Sequence, residues 1–182
     1  MNDAHRPSPA FSTPAAPADP AARAPRTTSS RWGGILPFIG LILFVIATIL
    51  QFAGGAGEDR GPVLVGNAVS YLIGWAMVGS GISHIFFGRQ ISKTIGFEKS
   101  PFELEVGFAN LAMGIVALLA SGYGSEFSLA VILASSIFRV GCGIGHIRSM
   151  IQDHNFAVNN TAILVINFLV PAFLIFAYYT WA

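Results

Sequence analysis

Long apolar runs alternate with short polar connections along most of the chain, and few charged residues fall inside the runs. A run of about 20 apolar residues is long enough to cross the bilayer as a helix. Because lipid offers no hydrogen-bond partners, the backbone of such a run is satisfied only in a helix or a closed barrel. The pattern predicts an all-α integral membrane helical bundle with five transmembrane helices, at residues 32–52, 63–87, 101–121, 127–147 and 159–181.

An eight-residue phrase, VGSGISHI and then VGCGIGHI, closes two of these runs 62 residues apart. Each copy ends in a histidine, His84 in the first and His146 in the second. The same offset sets Glu105 opposite Asn167 in the two runs that follow. We therefore expect an internal repeat, in which the last four helices form two helical hairpins.

The composition excludes an ordinary soluble domain. Hydrophobic residues make up 53% of the chain, charged residues 10%, and the mean hydropathy is +0.64, whereas soluble domains are about one quarter charged. A single cysteine, Cys142, provides no disulfide framework and no paired-cysteine motif. No phosphate-binding glycine loop, nucleophile elbow or basic nucleic-acid stripe is present. The predicted partners are the lipid bilayer and further membrane subunits or copies of this chain, without nucleic acid.

Charge placement predicts the orientation. Residues 1–30 are rich in Pro, Ala, Ser and Arg and read as a disordered cytoplasmic tail, followed by a membrane domain at 31–182. Positive charge is concentrated in the tail and in the connection at 88–99, whereas Arg60 stands alone on the opposite side. The positive-inside rule then places the amino terminus in the cytoplasm and the carboxyl terminus outside, in a multi-pass protein of the inner (plasma) membrane. Cleavage after residues 53–57 is the alternative, which the long tail disfavours.

One acidic residue at the start of the third run has a structural explanation. Ser100, Pro101 and Glu103 fit a capping box at a helix start. Glu105 has no such role and lies about 200° around the helix from Glu103. Glu105 is therefore the candidate for an inward-facing carboxylate.

Six polar residues near the cytoplasmic side are predicted to form a buried network. Arg139 breaks the repeat, and its predicted partner is Glu105 or Asn110. Pro171 leaves the carbonyl of Asn167 without its helical partner, which favours an inward position for that residue. The members of the network are His84, Glu105, Asn110, Arg139, His146 and Asn167.

Ionisable groups inside membrane spans indicate function unless they stabilise one another. One hypothesis is a structural or accessory membrane protein, not an enzyme, in which the network holds the helices together. A second is a redox protein in which His84 and His146 are the axial ligands of a haem. Alternatively, the two histidines and Glu105 bind a metal ion, or the protein binds a quinone. A third is a small carrier or proton path in which Arg139 holds an anionic group. No catalytic residue is identified.

A family resemblance rests on three stretches. The run from Ile95 to Leu111, IGFEKSPFELEVGFANL, followed by Gly143-Ile144-Gly145-His146 and Asn155-Phe156-Ala157, resembles an uncharacterised family of small microbial multi-span membrane proteins. That family pattern has an acidic residue where Asn167 stands, so this chain departs from it there. More remotely the chain looks like the DoxX-like four-helix membrane proteins, some of which are linked to quinone or thiol redox chemistry. The resemblance implies the fold and no established activity.

Overall fold

The computed structural model describes residues 38–55, 60–98 and 100–182, and this part of the chain consists of helices joined by short turns and loops, without strands. The predicted tail at 1–30 and the first residues of the predicted first span lie outside it. A π-helical segment, Ala68–Trp75, joins the second helix to the third without a break, and a 3-10 turn, Ala120–Gly122, follows the fourth. The helices are α1 Ile39–Ala53, α2 Arg60–Asn67, α3 Ala76–Ile95, α4 Glu103–Leu119, α5 Ser125–Gln152 and α6 Val158–Trp181.

Four continuous helical stretches of the described chain are long and apolar enough to cross a membrane. They are Arg60–Ile95, Glu103–Gly122, Ser125–Gln152 and Val158–Trp181. The described part of the predicted first span is α1, an apolar helix of 15 residues, which is shorter than a bilayer requires. The helical class and four of the predicted spans are therefore confirmed by length and composition.

The helices extend beyond the apolar runs at their polar ends. The connection expected at 88–99 is helical as far as Ile95, after a kink at Phe87, where φ is −127°. Likewise α5 continues to Gln152 instead of ending at residue 147. The prediction of loops there was wrong because hydropathy marks the lipid-facing length of a helix, whereas Arg, Gln and Lys continue a helix into water at little cost.

The first described helix is attached through a buried asparagine. The Asn67 side chain donates hydrogen bonds to Thr48 Oγ1 at 3.2 Å and to Gln51 Oε1 at 2.9 Å, across from α2 to α1. Near the other end of α1, Gly40 lies against Ala76 and the carbonyl of Tyr71. Thus α1 runs antiparallel to α2 and the π-helical segment and covers only that half of the long helix.

Glycines allow the backbones of α3 and α4 to approach closely. A Cβ on Gly81 would lie 2.7 Å from the backbone nitrogen of Leu111 and 2.8 Å from the carbonyl oxygen of Gly107. Two helical turns further along, a Cβ on Gly114 would lie 2.8 Å from the carbonyl oxygen of Gly74. The two helices therefore interlock through glycines seven residues apart on each, the small-residue packing typical of membrane helices.

The second hairpin packs α5 on α6 in a related but looser way. A Cβ on Gly143 would lie 2.7 Å from the ring of Phe168 and 3.4 Å from the Cβ of Asn167. Side chains, rather than backbone, fill the contact here. The large side chains that are fully enclosed, Ile73, Met77, Ile132 and Leu174, come from the π-helical segment, α3, α5 and α6 and join the two hairpins.

Candidate functional site

A cavity of about 560 Å³ lies between α3, α4, α5 and α6, and the start of α1 borders it. Its wall is mainly apolar. Five of the six residues of the predicted network border this cavity: His84, Asn110, Arg139, His146 and Asn167. The structure thus brings together side chains from all four helices of the two hairpins.

The sixth predicted residue, Glu105, lies elsewhere. Its side chain is exposed, and Glu103 lines the cavity instead. The prediction of an inward-facing Glu105 was wrong, although the angular argument was sound, because the two residues do lie on different faces of α4. The predicted capping role of Glu103 had been the reason to leave it out of the site. At the start of α4, however, its carboxylate contacts both the capping residue and the neighbouring helix α3.

Glu103 links the start of α4 to the end of α3. Its Oε1 accepts a hydrogen bond from Ser92 Oγ and one from the Ser100 backbone N–H at 3.5 Å. Ser100 Oγ in turn accepts from the Phe102 N–H at 3.2 Å. Gly88, just after the kink, leaves room for this carboxylate. Half of the predicted capping box is formed, the bond from the Ser100 N–H to Glu103, whereas Ser100 Oγ accepts from Phe102 instead of Glu103 and α4 begins at Glu103. The same carboxylate also binds α3.

Arg139 extends across the bundle to the π-helical segment. Its Nη2 donates a hydrogen bond to the carbonyl oxygen of Leu72 at 2.7 Å. Neither predicted partner binds it, because Glu105 is exposed and the Asn110 amide donates to Val106 O of its own helix at 2.9 Å. Its Nε is buried without a partner. Among the residues described, its ionisable neighbour is Cys142, and no carboxylate pairs with it.

The two histidines of the repeated phrase differ in their hydrogen bonding. Both border the cavity, and His84 interacts electrostatically with Glu103 and with His146. His84 Nδ1 is buried without a hydrogen-bond partner. His146 Nδ1, in contrast, lies 2.6 Å from Asn160 Oδ1. One ring is therefore held by α6, and the other has a nitrogen available for a bond.

Asn160 is held in place by the loop that precedes α6. Its side chain is fully buried, and its Nδ2 donates to the carbonyl oxygen of Asn155 at 3.0 Å. Asn155 Nδ2 donates to Ile95 O at 2.8 Å and to Ser149 Oγ at 3.2 Å. A chain of hydrogen bonds thus runs from His146 through the α5–α6 loop to the end of α3.

Sequence reasoning missed Ser92, Glu103, Asn155 and Asn160. Asn155 stood in a stretch that carried the family resemblance, yet neither periodicity nor spacing gave it a partner. Asn160 sits in the first turn of a helix that follows a polar loop, where an asparagine is ordinarily solvated. Contacts between residues far apart in the chain carry no signal in a single sequence, so these contacts emerge only from the fold.

The arrangement does not form the metal site considered from the sequence. Within the described ranges, no three His, Cys, Asp or Glu side chains come together in a way that could hold a metal ion. Glu105, the carboxylate of the predicted two-histidine, one-carboxylate set, is exposed. What the cavity offers instead is one guanidinium, two imidazoles, the carboxylates of Glu98 and Glu103, and amide and hydroxyl groups in a mainly apolar wall.

These features define the class: a small helical protein with four helices fit to cross a membrane, built around a cavity with a few convergent polar groups. The chain belongs to a family of unknown function, DUF6790, whose model matches residues 35–182. No match was found among proteins of curated function or among solved structures. A similarity to DoxX-like proteins is thus not shown, whereas the resemblance to an uncharacterised family is.

Proposed function

We propose that this chain is an integral membrane protein that binds an amphipathic anion in its cavity, as a binding protein or small carrier rather than an enzyme. The observation that carries the proposal is Arg139, a cation on the cavity wall that no carboxylate of the described chain neutralises. An uncompensated buried charge costs several kcal/mol. Charged residues inside membrane spans characteristically face cavities along substrate pathways.

A purely structural network accounts less well for the same groups. Polar groups that hold helices together satisfy one another, and a half-satisfied network is destabilising. Here Arg139 Nε and His84 Nδ1 are both buried without partners. A bound molecule with acceptor oxygens would satisfy the guanidinium, which favours binding over a role in packing alone.

The cavity also indicates the size and the apolar character of the bound ligand. A volume of about 560 Å³ falls in the range of small-molecule sites. The apolar lining of the cavity includes Met77, Phe138, Ile163 and Ile166, so the body of the ligand is expected to be apolar. An acid with a hydrocarbon or aromatic body meets both requirements.

Replacement of Arg139 tests the proposal. We expect octanoate to bind the wild-type protein in lipid nanodiscs and the dissociation constant to rise about 10- to 100-fold in Arg139→Gln, because a charged hydrogen bond is worth about 1.5–3 kcal/mol. Octanamide, which has the same chain without the charge, is expected to bind weakly to both proteins. Isothermal titration calorimetry, with empty nanodiscs as the blank, measures these constants.

Arg148→Gln is the matched control, since Arg148 is exposed on the same helix and does not border the cavity. It should bind octanoate as the wild type does. Equal binding of octanoate and octanamide, or an Arg139→Gln variant that binds like Arg148→Gln, would remove the guanidinium from the site and overturn the proposal.

A second candidate function is haem binding. The observation in its favour is the hydrogen bond from His146 to Asn160 at 2.6 Å, because ligating histidines ordinarily donate their other ring nitrogen to a protein oxygen. His84 borders the same cavity. If haem is the ligand, the purified protein shows a Soret band and sharpened visible bands on reduction, both lost in His84→Ala and His146→Ala. A featureless spectrum excludes haem.

For the arrangement in the membrane, we propose five spans, counting α1 together with the residues before it, and two repeated hairpins, α3–α4 and α5–α6. The cytoplasmic amino terminus, the outer carboxyl terminus and the location in the inner (plasma) membrane follow from the distribution of Lys and Arg. The lipid bilayer is the partner, with copies of this chain or other membrane subunits beside it. A carboxyl-terminal reporter that is active only outside the cytoplasm tests the orientation.

A further inference from the structure

We infer that the molecule bound in the cavity carries a hydrogen-bond donor, a hydroxyl or N–H group, about 10 Å from its acidic group. The inference rests on the proposed function, because Arg139 supplies the site for the acid. The site for the donor is His146, whose tautomer is fixed by its hydrogen bond to Asn160.

The first step concerns the orientation of the Asn160 amide. Its Nδ2 donates to the carbonyl oxygen of Asn155 at 3.0 Å, so its Oδ1 is the atom that faces His146. An amide oxygen only accepts hydrogen bonds. His146 Nδ1 must therefore carry the hydrogen across the 2.6 Å contact.

The second step follows from the chemistry of imidazole. In a neutral ring one nitrogen donates and the other accepts, so a hydrogen on Nδ1 leaves the lone pair on Nε2. The structure gives Nε2 no partner within the residues that it describes. Phe97 packs on the ring at 5.4 Å between centroids and supplies no donor. His146 borders the cavity, and a bound O–H or N–H satisfies this acceptor.

The third step sets the distance between the two sites. Arg139 and His146 are seven residues apart on α5, which places them on one face of the helix and about 10 Å apart along its axis. Cys142, Phe138 and Ile166 line the cavity near them. These side chains offer an apolar passage, so the ligand class is an acid with an apolar chain and a donor at the far end.

The test compares 8-hydroxyoctanoate with octanoate. We expect the hydroxy acid to bind the wild-type protein in nanodiscs about three- to tenfold more tightly, the gain of one hydrogen bond. In His146→Phe the gain disappears while octanoate binding is retained. In Arg148→Gln, a change on the same helix outside the cavity, the gain remains.

The outcomes separate this inference from the function on which it rests. If octanoate binds in a manner that depends on Arg139 and the hydroxyl adds nothing, or if the gain survives in His146→Phe, this inference is overturned and the anion site stands. If octanoate does not bind the wild type, the anion site itself fails. Nitrogen-15 NMR of labelled histidine gives an independent check that does not need a variant: an Nε2–H tautomer at His146 would contradict the inference.

Discussion

Gly81→Ala is expected to be among the most destabilising single-methyl changes in this protein. The new Cβ would lie 2.7 Å from the Leu111 nitrogen and 2.8 Å from the Gly107 carbonyl oxygen. These are backbone atoms of another helix, so no side chain can move aside and α3 and α4 must separate. Overpacking costs about 1–3 kcal/mol, which outweighs the gain of about 1 kcal/mol that alanine brings to a helix. Thermal unfolding in detergent measures the difference.

Gly79→Ala is the matched control for this prediction. Gly79 belongs to the same helix and the same repeated phrase, yet apart from the adjoining turns of its own helix no described atom lies within 4 Å of a Cβ built there. Alanine at this position should leave the melting temperature unchanged or raise it slightly. If the two variants unfold at the same temperature, the close approach of α3 and α4 is not as described, and the glycine packing does not contribute to the stability of the protein.

Asn155→Ala is expected to have the second largest effect, by separating the α5–α6 loop from the end of α3. The side chain donates to Ile95 O and Ser149 Oγ and accepts from the Ala157 N–H at 3.3 Å. A buried group left without its partner costs about 1–3 kcal/mol, so we expect a loss of about 2–4 kcal/mol in all. Both the melting temperature and the rate of proteolysis in this loop should report it.

Gln152→Ala serves as the control, because Gln152 is exposed in the last turn of α5, three residues from Asn155. It should unfold like the wild type. An Asn155→Ala variant with the stability of Gln152→Ala would show that the loop is held by other contacts. Asn155→Ala should also weaken the hydrogen bond between Asn160 and His146. The backbone carbonyl of residue 155 that binds Asn160 remains in this variant, but the loop that carries it is less firmly held.

The sequence predicted the helices well and their ends poorly. Apolar runs identify the segments that lipid must surround, so the spans at 101–121 and 159–181 match α4 and α6 closely. The ends of α3 and α5 extend beyond the apolar runs, where hydropathy does not indicate the end of a helix and capping decides. The left-handed Gly96, with φ of +74°, terminates α3, and nothing in the apolar pattern marks that position.

The sequence predicted which residues border the cavity better than it predicted which of them bind one another. Single polar residues inside apolar runs pointed to His84, Arg139 and Asn167, and all three border the cavity. Which group binds which depends on the rotation of each helix about its axis. For Arg139 that rotation follows from the π-helical segment, which presents the Leu72 carbonyl, and π-helical geometry has no signature that hydropathy reveals. The offset of 62 residues failed for Glu105, since Asn167 is buried beside the cavity whereas Glu105 is exposed.

The position of Cys142 gives the unmodified chain a built-in probe. It is the only cysteine of the sequence, it is half-buried, and it borders the cavity between Arg139 and His146. A thiol-reactive spin label or fluorophore therefore attaches at one site without any engineering. The rate at which small reagents modify it, from either side of a sealed vesicle, reports which side of the membrane the cavity opens to.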